Sequence, residues 1–139
     1  MHGDLNISVF HLYKFNKNEC LGVVNFLNDG DSFHSPCKGS YGGFEFKDGI
    51  NYETKYKFIE CTINFIRLKK IKNINIKVAP QIYNISESSE INSILHNLGF
   101  EIKYSELNQY IDVNNYSIDK SVNYGNRKRI KNCSSLNYK

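Results

Sequence analysis

The stretch YETKYKFIECTINFIRLKK, residues 52–70, has the clearest periodicity in the chain and sets the fold around it. Apolar residues recur there every three or four positions, which places them on one face of an α-helix; they are Tyr52, Tyr56, Ile59, Ile63 and Ile66. Phe58, Phe65 and Leu68 widen that face, so we expect the helix to be covered over more than one side. Basic side chains crowd the C-terminal end, where they complement the helix dipole; they are Arg67, Lys69, Lys70 and Lys72.

The residues before this helix have the period of β-strands. The segments ISVFHLYKF (7–15) and ECLGVVNFL (19–27) are predicted strands, and residues 16–18 supply a hairpin turn between them. Residues 28–31, with the sequence NDGD, mark a turn or a break. The segment SYGGFEF (40–46) is a predicted third strand whose start is weakened by glycine.

A strand and a second helix follow the long helix. INIKVAP (74–80) alternates apolar and polar residues and stops at its proline. The second helix is predicted from about Glu87 to Asn97, with Ser86 as its N-cap and Gly99 as its C-terminal glycine. Its inward face consists of Ile91, Ile94, Leu95 and Leu98.

The last predicted strands are FEIKY (100–104) and YIDV (110–113). The order β-β-β-α-β-α-β-β predicts an α/β fold with a mixed, largely antiparallel sheet and two main helices. The core signal fades after residue 113, so we expect one lobe over residues 1–115. Residues 116–139 are then a polar basic tail or the start of a connector.

Composition limits the classes of function. The 139 residues fit one domain, and 40% hydrophobic with 23% charged residues is ordinary for a globular chain. The N-terminus lacks a secretory signal, and no apolar stretch reaches the roughly 20 residues of a membrane-spanning helix, so we expect a cytoplasmic protein. The cysteines are scattered without metal-ligand spacing, which predicts free thiols and no metal site; they are Cys20, Cys37, Cys61 and Cys133.

The basic cluster of the tail permits three interpretations. It consists of Arg127, Lys128, Arg129 and Lys131. It can begin a solvated helix, form part of a connector to another lobe, or contact phosphates with Tyr124 and Tyr138 stacking on bases. The net charge of +4 is mild, so nucleic acid is not an expected partner.

The segment HSPCKGSYGG, residues 34–43, contains the candidate ligand-binding residues. In a structural interpretation its glycines only let the chain bend into a strand. In a functional interpretation Gly42 and Gly43 admit a substrate close to the backbone, and Tyr41 lines the cleft. The candidate substrate-binding residues are therefore Tyr41, Gly42 and Gly43, although a plain turn is the simpler explanation.

No residue is assigned a catalytic role. His34 and Cys37 lie three residues apart in a proline-containing loop, where their side chains need not meet. Asp112 follows a predicted strand and is expected at the surface.

Three marks occur in a characteristic order along the chain. The first is Ser35-Pro36 before Tyr41-Gly42-Gly43-Phe44, the second is Val78-Ala79-Pro80 before Ile82-Tyr83, and the third is Leu98-Gly99-Phe100 at a helix end. In this order they resemble the N-terminal lobe of Fem-type aminoacyltransferases and of the related two-lobed acyltransferases of the GNAT superfamily. The run at residues 126–131 also resembles the basic run that follows this lobe in the family.

The resemblance implies transfer of an acyl or aminoacyl group to an amine, carried by a small molecule or a cell-envelope precursor. Members of the family have two lobes, and this chain ends where the second would begin. We therefore expect that an acyl-CoA or aminoacyl-tRNA donor would bind a missing lobe, that this chain holds no cofactor, and that it is inactive alone. The expected partners are the amine and a second lobe, or a second copy through an exposed face. The alternative is a complete, non-catalytic α/β binding or interaction module.

Overall fold

The computed structural model describes residues 6–107 and 123–134. Contacts divide the chain into two units, residues 1–104 and 105–139. The predicted boundary between residues 115 and 116 lies outside the described residues and stays a prediction. Within the described ranges, the helices are too short or too polar to cross a membrane.

The first unit is built on a mixed, mostly antiparallel sheet. Strand β2 pairs antiparallel with β1 along one edge, and with β3 and β4 along the other. Strand β5 pairs with β3 and runs parallel to it. The strands are β1 (Ile7–Lys14), β2 (Glu19–Asp29), β3 (Ser32–Ser35), β4 (Glu45–Phe46) and β5 (Asn73–Ile76). With two main helices, this is the fold class that the sequence predicts.

Two short turns connect the first three strands. A 3₁₀ turn over Phe15–Lys17 joins β1 to β2, and Asn18 after it takes a left-handed φ of 48°. The turn between β2 and β3 has two residues, Gly30 and Asp31, and Gly30 takes φ +58°. Glycine is favoured at the first position of such a hairpin turn. The turn at residues 28–31 was predicted, but the short strand that follows it was not.

The predicted third strand over residues 40–46 is wrong in extent. Only Glu45–Phe46 pair with β2, opposite Gly22 and Val23. Gly43 takes φ +110°, which lies outside the extended conformation of a strand. The chain therefore leaves the sheet after β3 and rejoins it only at β4.

Helix α1 spans Tyr52–Leu68, as its periodicity predicts. Asn51 begins it, because its side-chain oxygen accepts a hydrogen bond from the backbone N–H of Thr54 at 2.9 Å. Glu53 in the first turn and Arg67 in the last turn complement the helix dipole.

Helix α2 spans Ile85–Asn97 and begins two residues earlier than predicted. Its N-cap is Asn84 and not Ser86, because the Asn84 side chain accepts a hydrogen bond from the backbone N–H of Glu87 at 3.1 Å. Gly99 takes φ +87° just after the helix, the left-handed conformation that favours glycine at a helix end, as predicted.

One face of the sheet and both helices enclose a single hydrophobic core. The ring of Phe26 lies at its centre, 5.7 Å from the ring of Phe33 and 6.4 Å from that of Phe44. Phe65 and Leu68 are 48% and 82% exposed, so the widened face of α1 is only partly covered. The buried members are Val24, Phe26, Phe33, Phe44, Ile59, Ile63, Ile66, Ile91, Ile94 and Leu95.

The predicted strand over residues 100–104 is absent. The N–H of Phe100 bonds instead to the carbonyl of Leu95 at 3.0 Å, which closes the end of α2. The apolar residues that follow, Ile102 and Tyr104, are 88% and 63% exposed. The predicted strand over residues 110–113 lies outside the described residues.

In the second unit, helix α3 spans Tyr124–Ser134 and contains the basic cluster of the tail.

Candidate ligand-binding cleft

Two loops meet where the parallel strands β3 and β5 end. The backbone N–H of Lys77 donates to the carbonyl of Ser35, and the N–H of Gly42 donates to the carbonyl of Lys77, each at 2.8 Å. Gly42 and Val78 form a parallel bridge at the same point. In α/β sheets, ligands commonly bind beyond the carboxyl ends of parallel strands. The junction therefore lies where a binding site is expected.

A cleft of about 240 Å³ opens beside this junction. Its walls come from the segment before β4, from the segment after β5, and from the first turns of α2. This volume lies below the roughly 300–1,000 Å³ of pockets for drug-sized ligands, so the cleft suits a smaller molecule. The lining residues are Tyr41, Gly42, Phe44, Glu45, Val78, Ala79, Pro80, Tyr83, Asn84, Glu87, Ser88, Ile91 and Asn92.

The cleft is acidic although the chain as a whole has a net charge of +4. Its lining includes the carboxylates of Glu45 and Glu87 and contains no Lys, Arg or His. Lys55 outside the lining lies 3.7 Å from Glu87 but is closer to Glu90, at 2.7 Å. Glu45 makes no side-chain hydrogen bond or ion pair within the part of the chain that the structure describes. The cleft therefore attracts a cation in preference to an anion.

Two tyrosines form an aromatic wall of the cleft. The hydroxyl oxygens of Tyr41 and Tyr83 lie 3.0 Å apart, and their ring centroids are separated by 5.8 Å. The two residues are 42% and 67% exposed, so both side chains are partly accessible to a ligand. The hydrogen bond to Tyr83 raises the pKa of the Tyr41 hydroxyl above its ordinary value. A raised pKa keeps the Tyr41 hydroxyl protonated at neutral pH, so Tyr41 can hydrogen-bond a ligand but is not suited to act as a base.

Helix α2 contributes two further polar side chains, Ser88 and Asn92. They lie four residues apart and therefore on the same face of the helix. Within the described residues, neither side chain makes a hydrogen bond. Both are therefore available to a ligand in the cleft.

The three residues predicted to bind substrate occupy different places. Tyr41 and Gly42 line the cleft, whereas Gly43 is not part of its lining. The N–H of Gly43 donates to the buried hydroxyl of Ser35 at 2.9 Å, and a Cβ on Gly43 would lie 3.2 Å from Ile76. Gly43 thus shapes the loop, and substrate binding by the three residues stays a prediction.

The loop pair considered for nucleophilic chemistry is not part of the cleft lining. His34 belongs to β3, where it pairs with Leu27. The Cys37 thiol donates to the side-chain oxygen of Asn25 at 3.5 Å, and burial raises its pKa. A raised pKa disfavours the thiolate that a nucleophile needs. Asp112 lies outside the described residues.

Sequence reasoning missed five polar or aromatic residues of the cleft: Glu45, Tyr83, Glu87, Ser88 and Asn92. Tyr83 belongs to the second segment that carries the family resemblance, but the sequence analysis assigned it no binding role. Ser88 and Asn92 flank the buried Ile91, and a polar i, i+4 pair beside an apolar stripe is the signal that could have identified them. Glu45 carries no such signal, because its place depends on how β4 pairs.

No family model, curated protein or solved structure matches this chain. The likeness to Fem-type and GNAT acyltransferases therefore remains a hypothesis that rests on the quoted residues.

Proposed function

We propose that this chain is the acceptor-side lobe of a Fem- or GNAT-like acyltransferase, and that its cleft binds the amine that receives the acyl group. The observation that carries the proposal is the meeting of two resemblance marks at one cleft. Tyr41 and Gly42 come from the first mark, and residues 78–80 with Tyr83 come from the second. These segments lie far apart in the sequence, and a shared ligand site explains why both carry the resemblance.

The charge of the cleft supports an amine as the ligand. A protonated amine carries a positive charge and donates hydrogen bonds, which the carboxylates of Glu45 and Glu87 accept. The exposed faces of Tyr41 and Tyr83 attract the same cation through their ring electrons. An anionic acceptor would meet two carboxylates and no basic side chain.

The proposed role of the lobe is to hold and orient the acceptor. Acyl transfer also requires a base for the amine proton and donors for the developing oxyanion. The cleft lining contains neither His nor Cys, so Glu45 and Glu87 are the lining groups that can accept a proton. We therefore expect the chain to bind amines but to transfer acyl groups slowly or not at all without a lobe that binds the donor.

The test is titration of the ¹⁵N-labelled chain with n-pentylamine, followed by NMR at a pH where the amine is protonated. Shifts are expected at cleft residues. Glu45→Gln is expected to weaken binding about tenfold or more, because hydrogen bonds to charged groups contribute about 1.5–3 kcal/mol. Glu101→Gln, the same change at an exposed position outside the cleft lining, serves as the matched control. Equal affinities for the two variants would remove the proposed amine site.

The second candidate function is that of a complete non-catalytic binding module. The two candidates make different predictions about the outer face of the sheet, which only the lobe of a larger enzyme would need to have covered. Strand β1 places Ile7, Val9 and Tyr13 on the face opposite the core, where they are 45%, 49% and 54% exposed. Such an apolar row favours the lobe of a larger enzyme, because a second lobe or a second copy can cover it. Sedimentation velocity distinguishes the candidates. Self-association that Val9→Thr weakens supports the lobe, whereas a monomer at every concentration favours the module.

A further inference from the structure

We infer that the amine bound in the cleft belongs to an amino sugar. This inference rests on the proposed function, since it names the class of molecule that carries the amine. Three side chains that line the cleft lack a hydrogen bond within the described residues: Glu45, Ser88 and Asn92. One is a carboxylate, one a hydroxyl and one a carboxamide, so together they favour a ligand that carries other polar groups besides a positive charge.

Ser88 and Asn92 require hydroxyl or amide groups on the ligand. A carboxamide offers two donors and an accepting oxygen, and a hydroxyl offers one donor and two lone pairs. A simple alkylamine would cover these groups with methylene carbons and leave them without partners, which costs binding free energy. A ring that carries hydroxyls next to its ammonium group provides partners for both, while Glu45 accepts from the ammonium.

The tyrosine wall and the size of the cleft fit one sugar ring. The C–H groups on one face of a pyranose pack against the electron-rich face of an aromatic ring. Tyr41 and Tyr83 present two such faces, tilted by 50° and joined through their hydroxyls. Ala79, Pro80 and Ile91 supply an apolar surface beside them. The volume of about 240 Å³ leaves room for a monosaccharide rather than for an extended peptide.

The experiment compares glucosamine, glucose and n-pentylamine as ligands of the full chain, by NMR titration at a pH where the amines are protonated. Glucosamine is expected to bind about tenfold tighter than either of the other two, because each lacks one set of charged or hydrogen-bonding partners. Asn92→Ala is expected to weaken glucosamine binding several-fold but not n-pentylamine binding, which should stay the same or become tighter because the unpaired amide is removed. Asn64→Ala, an exposed asparagine of α1 outside the cleft lining, is the matched control and should change neither.

The possible outcomes separate this inference from the proposed function. If n-pentylamine binds as tightly as glucosamine and still depends on Glu45, the amino sugar is wrong while the amine site stands. If glucose binds as tightly as glucosamine, the ammonium is not recognised and both ideas fail. Both fail as well if none of the three ligands shifts the cleft residues.

Discussion

Replacing Gly42 by alanine should destabilise the junction on which the cleft is built. A Cβ at this position would lie 2.9 Å from the N, Cα and Cβ atoms of Pro36. Carbon atoms in contact prefer about 3.5–4.0 Å, so either the proline or the loop must move. The proline ring cannot rotate away, because it is closed onto its own backbone. Gly42 does not have a positive φ, so the cost of the substitution is steric.

The expected loss is about 2–3 kcal/mol of unfolding free energy, in the upper part of the range for overpacked sites. The reason is that the same movement strains the 2.8 Å hydrogen bond from the N–H of Gly42 to the carbonyl of Lys77. A typical hydrogen bond of this kind contributes about 1 kcal/mol. The loss therefore combines a steric and a hydrogen-bonding part.

Urea unfolding followed by circular dichroism measures this effect. With a slope of about 2 kcal/mol per molar urea, in the middle of the range for small proteins, the midpoint should fall by about 1–1.5 M. Ser40→Ala, an exposed change in the same loop, is the control and should stay within about 0.5 kcal/mol of the wild type. If Gly42→Ala and Ser40→Ala unfold at the same urea concentration, close packing on Pro36 does not hold the loop.

Three further predictions test single interactions of the first unit. Lys55→Met should lower the free energy of unfolding in urea by about 1–2 kcal/mol, less than the 3–5 kcal/mol lost when a fully buried pair is broken. The reason is that Glu90, 2.7 Å from the Lys55 ammonium, is 37% exposed and can regain water. A Lys55→Met protein as stable as the wild type would refute this. Asn84→Ala should cost about 1 kcal/mol through loss of the α2 cap, whereas Asn84→Ser should retain most of it; equal losses would show that the cap is not the cause. The hydrogen bond from Lys47 lowers the pKa of Glu19 below its ordinary value of 4.5, so the stabilisation of the fold by this pair is complete above that pH and is lost as the pH falls through the lowered pKa. Glu19→Gln should remove this acid dependence, and an unchanged pH profile of stability would contradict the prediction.

The helices and the first hairpin were predictable because their signals are local. The three- and four-residue spacing from Tyr52 to Ile66 fixes α1 without knowledge of the sheet. Gly99 marks the end of α2 because a left-handed residue closes a helix there. Only the cap was misplaced, since Asn84 and Ser86 are both competent N-caps and the choice depends on the turn that precedes the helix.

The strands after the first hairpin were less predictable because pairing decides them. FEIKY has the alternation of a strand, but Phe100 is used to close α2 and no described strand pairs with the rest. The first half of SYGGFEF does not form a strand, because Gly43 takes φ +110°, outside the extended conformation. The residues of the candidate site also differ in how far the sequence could predict them. The loop of Tyr41 and Gly42 was visible in the sequence, whereas Glu45 joins the site only through the pairing of β4.

The structural and the functional interpretation of the glycine loop do not exclude each other, and ligand binding by the loop stays a prediction. β3 and β4 share one edge of β2, but the chain advances eleven residues from His34 to Glu45 while their partners on β2, Leu27 and Val23, lie only four residues apart. The extra residues must therefore leave the edge of the sheet as a loop. β5 pairs with β3 as far as Ser35 and Ile76, and beyond that point Gly42 forms a bridge with Val78. Gly43, with φ +110°, then turns the chain out of the extended conformation before β4. Among the described strands, β4 is left without a partner on its other edge. The cleft opens next to this point. The structural role of the turn is therefore compatible with the proposed functional one, because the departure of the chain from the sheet edge is what places the loop beside the cleft.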